Sequence, residues 1–489
     1  MRKIKKVTAL LVSVASVISC AACAVPEKEK QILEQEPVAF EGQEGQNMRE
    51  EKEESEKEYN EQKNAAEEEQ KETVEQVQIL ARAEYPEMVQ YPVTDSFMYD
   101  EKAYTAWRTS VAAQQPESME YQNGIREFYE TTMQEFLKDT EGKNRIYSPL
   151  NVYMALAMLA ETTDGESRSQ ILQLLHVDSM EKLRDNAAIL WNANYCDDGT
   201  VTSRLASSIW LKNGNDYNTD TLQVLAENYY ASSFQGNMGS EEYNKVLQNW
   251  LNEQTGGLLK EQASTVGMDP ETIVALASTV YFQAKWQKEF WKENNTKEIF
   301  HAASGDLETE FMHQSSSDYY YWGEQFSAIT RNLRYSGEML LILPEEDVNV
   351  EELLSNQEVL DFIYKHEEWE NQKYLIVNQS IPKFDVASDY SLIHGLKNLG
   401  VTNVFDRTAA DFTPLTLEPE VAVDKATHAA RVMIDEEGCT AAAFTVMVAA
   451  GAGRPPEETV DFVLDRPFLF VINGQDGQPL FVGIVNQPK

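Results

Sequence analysis

Apolar side chains recur at helical spacing in several segments of the first half of the chain. In residues 124–137 they stand at Ile125, Phe128, Tyr129, Met133, Phe136 and Leu137. Spacings of three and four residues predict an amphipathic helix. Residues 152–159 form an apolar segment preceded by Ser148-Pro149, which predicts a buried helix with a polar cap. Residues 243–251 are also helical in pattern, and Gly256-Gly257 ends them.

Strand patterns are concentrated in the second half. They occupy residues 201–211, 272–282, 338–343 before Pro344, and the strand-rich stretches 421–434 and 460–485. The run at 272–282 is unbroken in its apolar character, as expected of a strand buried on both faces. Residues 390–399 predict a helix that ends at Gly400. Helices followed by strands predict an α+β fold with large, mainly antiparallel sheets.

The charge of the chain excludes several classes of partner. Its 81 acidic and 41 basic residues give a net charge of −40, so we expect neither nucleic acid nor a heparin-like polyanion to bind. The chain has four cysteines, and only Cys196 and Cys439 lie beyond the extreme N-terminus. Two cysteines do not make a disulfide scaffold, and their spacing leaves open whether they pair with each other.

The first residues have the layout of a secretory signal. A basic segment, residues 1–6, precedes an apolar run at 7–18 that is too short to span a membrane as a helix. The run ends in Val17-Ile18-Ser19-Cys20, which resembles the lipobox of bacterial lipoproteins. That resemblance implies a signal peptide at 1–19, lipid attachment at Cys20 and a lipid-anchored protein outside the cell membrane. The alternative is an ordinary signal peptide cut near Ala22 or Ala24.

Residues 20–84 are predicted to form an acidic tether. Glu, Gln and Lys dominate this stretch, and its apolar residues are too sparse to stabilise a packed structure. The pattern leaves open whether the tether is disordered or partly an exposed helix. Aromatic residues then appear, among them Tyr91, Tyr104 and Trp107. We therefore place the folded domain at 85–489, with 85–119 as an N-terminal extension packed on it.

The chain lacks the residue patterns of common enzymes. No two of its six histidines have the spacing of a helical zinc site, and it contains neither a nucleophile elbow nor a phosphate-binding loop. We therefore predict a protein that is not an enzyme and that needs no metal or cofactor.

Residues 438–453 are unusual because they contain no charge and no proline. Such a segment can enter a sheet as a strand, since every residue keeps its backbone N–H. One face would then carry Cys439, Ala441, Ala443 and Thr445, and the other Thr440, Ala442, Phe444 and Val446. The first face is uniformly small and could be buried without overpacking. Composition alone also allows an ordinary core strand with a glycine-rich turn.

Across residues 120–489 the sequence resembles the serpins. The matching motifs are Phe462-Val463-Leu464-Asp465-Arg466-Pro467-Phe468-Leu469-Phe470, Asn144-Arg145-Ile146-Tyr147-Ser148-Pro149-Leu150, Thr279-Val280-Tyr281-Phe282-Gln283-Ala284-Lys285-Trp286 and Ile381-Pro382-Lys383-Phe384. The resemblance implies one domain with three β-sheets and an exposed reactive-centre loop. The resemblance further implies that a target serine protease cleaves this loop and forms a covalent acyl complex. The loop then inserts into the central sheet and traps the protease.

The resemblance also assigns roles to residues. The insertion hinge comprises Glu436, Glu437, Gly438, Cys439, Thr440, Ala441, Ala442 and Ala443. The polar cluster beneath the sheet, called the shutter, comprises Ser148, Asn151, Ser278 and His428. Asn151 and Ser278 depart from the family pattern, as though serine and asparagine had exchanged places. If Asn151, Ser278 and His428 meet, the polar network is kept.

The family's usual loop length places the reactive bond at Ala452–Gly453, with Ala450, Gly451 or Arg454 as alternatives. A small residue before the bond suits elastase-like or subtilisin-like proteases. We therefore expect a monomeric suicide inhibitor of serine endopeptidases on the cell surface. The alternative is a non-inhibitory serpin that acts as a surface binding protein.

Overall fold

A computed structural model of the protein describes residues 77–92, 100–114, 122–439 and 456–488. The α-helices in these ranges are α1 (Glu101–Gln114), α2 (Gln122–Phe136), α3 (Pro149–Thr162), α4 (Gly165–Leu174), α5 (Met180–Asn194), α6 (Thr219–Tyr229), α7 (Glu241–Gln254), α8 (Lys260–Thr265), α9 (Val350–Leu353), α10 (Gln357–Lys365) and α11 (Ile393–Asn398). The described part of the chain contains no helix that is long and apolar enough to cross a membrane.

The strands fall into two hydrogen-bonded sheets. They are β1 (Gln78–Ala81), β2 (Arg145–Tyr147), β3 (Cys196–Asp197), β4 (Thr202–Lys212), β5 (Ala231–Gly236), β6 (Val274–Lys285), β7 (Thr296–Ala302), β8 (Gly305–Trp322), β9 (Phe326–Asn332), β10 (Glu338–Pro344), β11 (Gln372–Pro382), β12 (Phe384–Ser391), β13 (Thr427–Ile434), β14 (Gly438–Cys439), β15 (Thr459–Val463), β16 (Phe468–Asn473) and β17 (Pro479–Val485). The α+β class predicted from the sequence is confirmed.

The first sheet is split along its length. Its order is β1-β5-β4-β6-β14-β13-β12, with β3 paired to β4. Strands β4 and β6 pair without interruption from Thr202↔Gln283 to Leu211↔Val274. Among the described residues, β6 and β13 are joined only through the two residues of β14. The gap that continues below β14 is called the slot here.

The second sheet has the order β15-β11-β8-β9-β10-β16-β17-β2, with β7 paired to β8. The resemblance to the serpins implies three sheets. In the described part of the chain, two of these three are joined into this one continuous sheet. The reason is the length of β8, whose 18 residues pair with β7 near one end and with β9 at the other. Strand β11 follows β8 over 11 residue pairs.

Helix α3 lies between the two sheets, where it contacts β6 and β17. The Ser148 hydroxyl caps it by accepting a hydrogen bond from the Asn151 N–H, and Pro149 occupies its first turn. Every residue of α3 except Ala155 is buried. The capped apolar helix predicted at 152–159 is therefore confirmed, and it packs against β6.

Three sequence predictions need correction. Strand β12 continues through Tyr390 because Tyr390 pairs with His428 of β13, so the helix expected at 390–399 forms only at Ile393–Asn398. In the stretch 421–434, strand structure begins only at Thr427. Strand β6 is half-buried rather than buried on both faces, because it borders the open slot.

A strand lies within the stretch 20–84 that the sequence predicts to be a tether. Residues 78–81 form β1, which pairs antiparallel with the edge of β5. The apolar side chains of Leu80 and Ala81 pack against the core, and the backbone of β1 satisfies β5 groups that would otherwise be unpaired. Residues 1–76 lie outside the described part, so the predicted signal peptide and the predicted lipid attachment at Cys20 stay predictions.

The N-terminal extension packs on the domain. Tyr85 stacks on Trp191, with ring centroids 6.1 Å apart. Trp107 of α1 is 4% exposed, and its indole N–H donates to the Asp198 carboxylate over 2.7 Å. Its ring also meets Tyr335, with centroids 4.9 Å apart. The extension thereby contacts α5, the segment before β4, and the turn after β9.

Candidate functional site: the hinge and the slot

A tight turn after β13 directs the chain back into the first sheet. The Asp435 carboxylate accepts hydrogen bonds from the N–H groups of Glu437 and Gly438, at 2.9 and 3.2 Å. The Asp435 N–H donates to the Gly438 carbonyl at 3.1 Å. The indole N–H of Trp286 donates to the Asp435 carbonyl at 2.9 Å. The start of the hinge is therefore fixed to the end of β6 as well as to β13.

Glu436 attaches this turn to the second sheet. Its carboxylate accepts from the Asn295 amide at 2.5 Å and from the Lys383 ammonium at 3.1 Å. Its carbonyl accepts from the Phe290 N–H at 2.9 Å. Burial opposes the charge on Glu436, but these hydrogen bonds and Lys383 outweigh it and lower the pKa of the carboxyl group. Glu436 is therefore an ionised anchor for the hinge.

Gly438 and Cys439 form a strand of two residues at the mouth of the slot. Gly438 pairs with Lys285, and Cys439 pairs with Ala284 on one side and Ile434 on the other. A Cβ atom on Gly438 would stand 2.7 Å from the Cα of Lys285 and would also overlap the Ala284 carbonyl. Only glycine allows the backbone to approach β6 this closely.

The thiol of Cys439 faces the core and is 2% exposed. Burial raises the pKa of this thiol, so it stays protonated. Cys196 is also buried, and both cysteines are free thiols, which settles the pairing that the sequence left open. The burial of Cys439 agrees with the small, buried face predicted for residues 439–445.

The slot continues beyond Cys439 as a narrow cleft that is partly open to solvent. Its walls are Val280, Tyr281 and Phe282 of β6 and Arg431, Val432 and Met433 of β13. Thr255, Leu258 and Leu259 lie across one side, and Ile472 and Phe481 of the second sheet lie behind. The cleft therefore lies between β6 and β13 and continues the line of β14.

Thr440, Ala441, Ala442, Ala443, Ala450, Gly451, Ala452, Gly453 and Arg454 lie outside the described residues. The predicted reactive bond and the inner half of the predicted hinge therefore stay predictions. The outer half, from Glu436 to Cys439, is described and lies at the mouth of the slot.

The predicted shutter residues lie together beneath β6 and β13. The Ser148 N–H donates to Nε2 of His428 at 3.1 Å. His428 is 2% exposed, and burial lowers the pKa of its imidazole to about 4, so the ring is neutral. The ring also lies between Tyr147 and Tyr390, with centroids 5.5 and 5.6 Å away.

Asn151 and Ser278 contact each other directly. The Asn151 amide donates to the Ser278 carbonyl at 3.1 Å, and the Ser278 hydroxyl donates to the Asn151 amide oxygen. Ser207 of β4 joins them, with its hydroxyl 3.3 Å from that of Ser278. His428 connects to this pair through Ser148, whose hydroxyl accepts from the Asn151 N–H.

Sequence reasoning missed three partners of this site. Lys383 and Asn295 bind the Glu436 carboxylate, and Ser207 extends the Asn151–Ser278 pair. Lys383 belongs to a motif quoted above, but nothing in its sequence neighbourhood points to a residue 53 positions away. The polar residues Ser207 and Ser208 inside the otherwise apolar run 205–211 were a usable signal.

The split first sheet, joined at one end by a strand of two residues, defines a class of α+β protein whose main sheet is open along part of its length. A family model described as "Serpin (serine protease inhibitor)" matches residues 123–488. The chain therefore belongs to the serpin family.

Three known proteins show the extent of the similarity. The human leukocyte elastase inhibitor is 28% identical over 356 residues, which cover 71% of this chain and 93% of that protein. The native structure of the thermophilic serpin tengpin has a TM-score of 0.67 and 25% identity, covering 76% of this chain and 95% of that one. Thyroxine-binding globulin in complex with thyroxine shares the fold, with a TM-score of 0.63, 19% identity and coverage of 75% and 99%.

Proposed function

We propose that this protein is a suicide inhibitor of serine endopeptidases that acts by inserting its cleaved reactive-centre loop into the slot. The observation that carries the proposal is β14, because Gly438 and Cys439 already pair with β6 and β13 where the cleft begins. A chain that continues from Cys439 in the same register meets Phe282 and Val432 after two residues. Both side chains line the cleft.

The composition of residues 440–445 supports insertion. Ala441, Ala443 and Thr445 would share the buried face of Cys439, and their small side chains avoid overpacking. A strand of 14 or 15 residues would move a tethered protease by roughly 50 Å. Strain released once in this way makes inhibition stoichiometric rather than catalytic.

The target is proposed to be an elastase-like or subtilisin-like protease cleaving at Ala452–Gly453. The small side chain of Ala452 supports this choice, and a relative of the chain is named leukocyte elastase inhibitor. Arg454 would suit a trypsin-like protease, but Pro455 follows it.

The proposal is tested by incubating the purified protein with elastase, subtilisin and trypsin. We expect a complex that survives SDS. We also expect a released C-terminal peptide whose mass shows that it begins at Gly453. A peptide that begins elsewhere would move the bond to Ala450, Gly451 or Arg454. Cleavage without a stable complex for every protease would favour the alternative, a non-inhibitory binding protein.

We also propose lipid attachment at Cys20 and display on the outer side of a bacterial membrane. The basic start, the short apolar run and the Ser19-Cys20 ending support this assignment. Residues 20–76 would then separate the domain from the lipid. A Cys20→Ala variant should lose incorporation of labelled fatty acid and appear in the medium, whereas Cys23→Ala should stay anchored. Equal labelling of both variants would contradict attachment at Cys20.

A further inference from the structure

The segment between α7 and α8 lies across the slot and contacts both of its walls. This crossing segment, residues 255–259, contributes Thr255, Leu258 and Leu259 to the cleft. At Gly256 the backbone has a φ of +58°, and a Cβ atom there would stand 2.8 Å from Cζ of Tyr281 in β6. On the other wall, the Leu258 carbonyl accepts a hydrogen bond from Nη1 of Arg431 in β13 at 2.8 Å.

Arg431 is held in the direction that reaches Leu258. Its Nε and Nη2 atoms donate to the two carboxylate oxygens of Asp385 in β12, at 2.7 and 2.6 Å. A bidentate pair fixes the plane of the guanidinium group. The remaining nitrogen, Nη1, therefore points across the slot to the crossing segment.

The register of β14 places this contact on the path of the incoming strand. Cys439 pairs with Ala284 and with Ile434, and all of these strands run antiparallel to β14. Counting three residues onward brings Ala442 level with both Tyr281 and Arg431. Residues directly opposite each other in a sheet share a face. Ala442 would therefore arrive beneath the crossing segment.

Insertion must disturb the contact between Arg431 and Leu258. A new strand needs about 4.8 Å to each of its neighbours, so where Ala442 enters, β6 and β13 must adjust to a separation of about 9.6 Å. The crossing segment touches both walls, and it cannot keep a 2.8 Å hydrogen bond to one wall while it stays packed on Tyr281 of the other. One of the two contacts has to break before the third residue enters.

We propose that Arg431 latches the crossing segment over the slot and thereby sets the rate of loop insertion at Ala442. This inference rests on the proposed function, since it concerns the same insertion step. If insertion has to break one charge-assisted hydrogen bond before its rate-limiting point, that bond slows insertion by a factor on the order of ten. Removal of the bond should speed insertion by the same factor.

The test uses full-length protein whose reactive-centre loop has been cut by a protease that forms no complex. Hydrogen exchange then follows the gain of protection in β6 and β13 with time. Arg431→Met should insert about tenfold faster than the wild type, and Arg431→Lys should do so as well, since one ammonium group cannot keep all three bonds. Arg407→Met is the matched control. Arg407 forms a similar ion pair with Asp424, whose N–O distance is 2.7 Å, and neither residue lines the slot.

The outcomes separate the latch from the proposed function. Equal insertion rates in the wild type, Arg431→Met and Arg431→Lys would overturn the latch and leave loop insertion standing. Faster insertion in Arg407→Met as well would also overturn it, because the effect would then come from lost charge. If β6 and β13 gain no protection after cleavage in any variant, the latch and the proposed function both fail.

Discussion

His428 is a buried, neutral imidazole whose Nε2 atom accepts the Ser148 N–H at 3.1 Å. Protonation would remove that acceptor and place a charge where the ring is surrounded by Tyr147 and Tyr390. The site therefore stabilises the native state only while the ring is neutral. At the residue scale, the support beneath the sheet is sensitive to acid.

The sign of the pH effect follows from the lowered pKa of His428. Its stabilising contribution is complete above the ordinary value of 6.5 and is lost as the pH falls toward about 4. The total amounts to about 3 kcal/mol. As the pH is lowered from 6.5 to 4.5, we expect the urea concentration at the unfolding midpoint to decrease in the wild type. It should decrease less in His428→Gln, whose amide oxygen can still accept the Ser148 N–H. His394→Gln, a change at an exposed histidine, should keep the wild-type slope; a wild-type slope in His428→Gln would contradict the assignment.

The pair of Asn151 and Ser278 predicts coupled effects on stability. Asn151→Ser removes the amide group that takes part in both mutual hydrogen bonds, and Ser278→Asn removes the hydroxyl donor of one of them, whereas the double variant can remake the side-chain bond with its partners exchanged. We expect each single change to cost about 1–2 kcal/mol and the double change to cost clearly less than their sum. Urea unfolding of the four proteins measures the coupling. Purely additive costs would show that the two side chains do not act as a unit.

At the element scale, strand β14 has only two residues, but it decides how the hinge is held. Two residues close the top of the slot, and a glycine is required at the first of them because β6 passes so near. Gly438→Ala should expel the hinge from the sheet. We expect Cys439 to become reactive to a thiol reagent in this variant and to stay unreactive in the wild type. Gly400→Ala, at a positive φ but in open space, serves as the control and should leave Cys439 protected.

How far the sequence determines these elements depends on where their contacts lie. Helix α3, strand β4 and strand β10 follow from local apolar patterns, and the structure confirms them. The pairing of Tyr390 with His428 and the attachment of Glu436 to Lys383 join residues far apart in the chain. A periodic pattern carries no information about such partners. Strand β1 was missed for the same reason, because its pairing with β5 outweighs the polar composition around it.

At the scale of the whole molecule, the N-terminal extension lies outside the matched region 123–488 yet packs on the domain. Trp107 is its buried anchor, through the Asp198 carboxylate and the ring of Tyr335. We expect Trp107→Ala to weaken the docking of the extension by about 3 kcal/mol. Limited proteolysis should then remove the extension faster and leave the remaining domain intact.

The matched control for this change is Trp291→Ala. The Trp291 side chain is 71% exposed, so its removal loses little packing. We expect this variant to keep the wild-type rate of cleavage in the extension. Equal cleavage in Trp107→Ala and the wild type would show that the extension is held by β1 and Tyr85 instead.

Strand β1 also decides how neighbouring copies can meet when many are crowded together. An open sheet edge is a template on which other chains can add strands and aggregate. Here the edge of β5 is covered by four residues of the same chain, and the pairing is irregular between Ile79 and Ala81. The new edge is therefore short, bulged and preceded by a strongly acidic segment. A dense array of these proteins should resist edge-to-edge association while each slot stays available to its own loop.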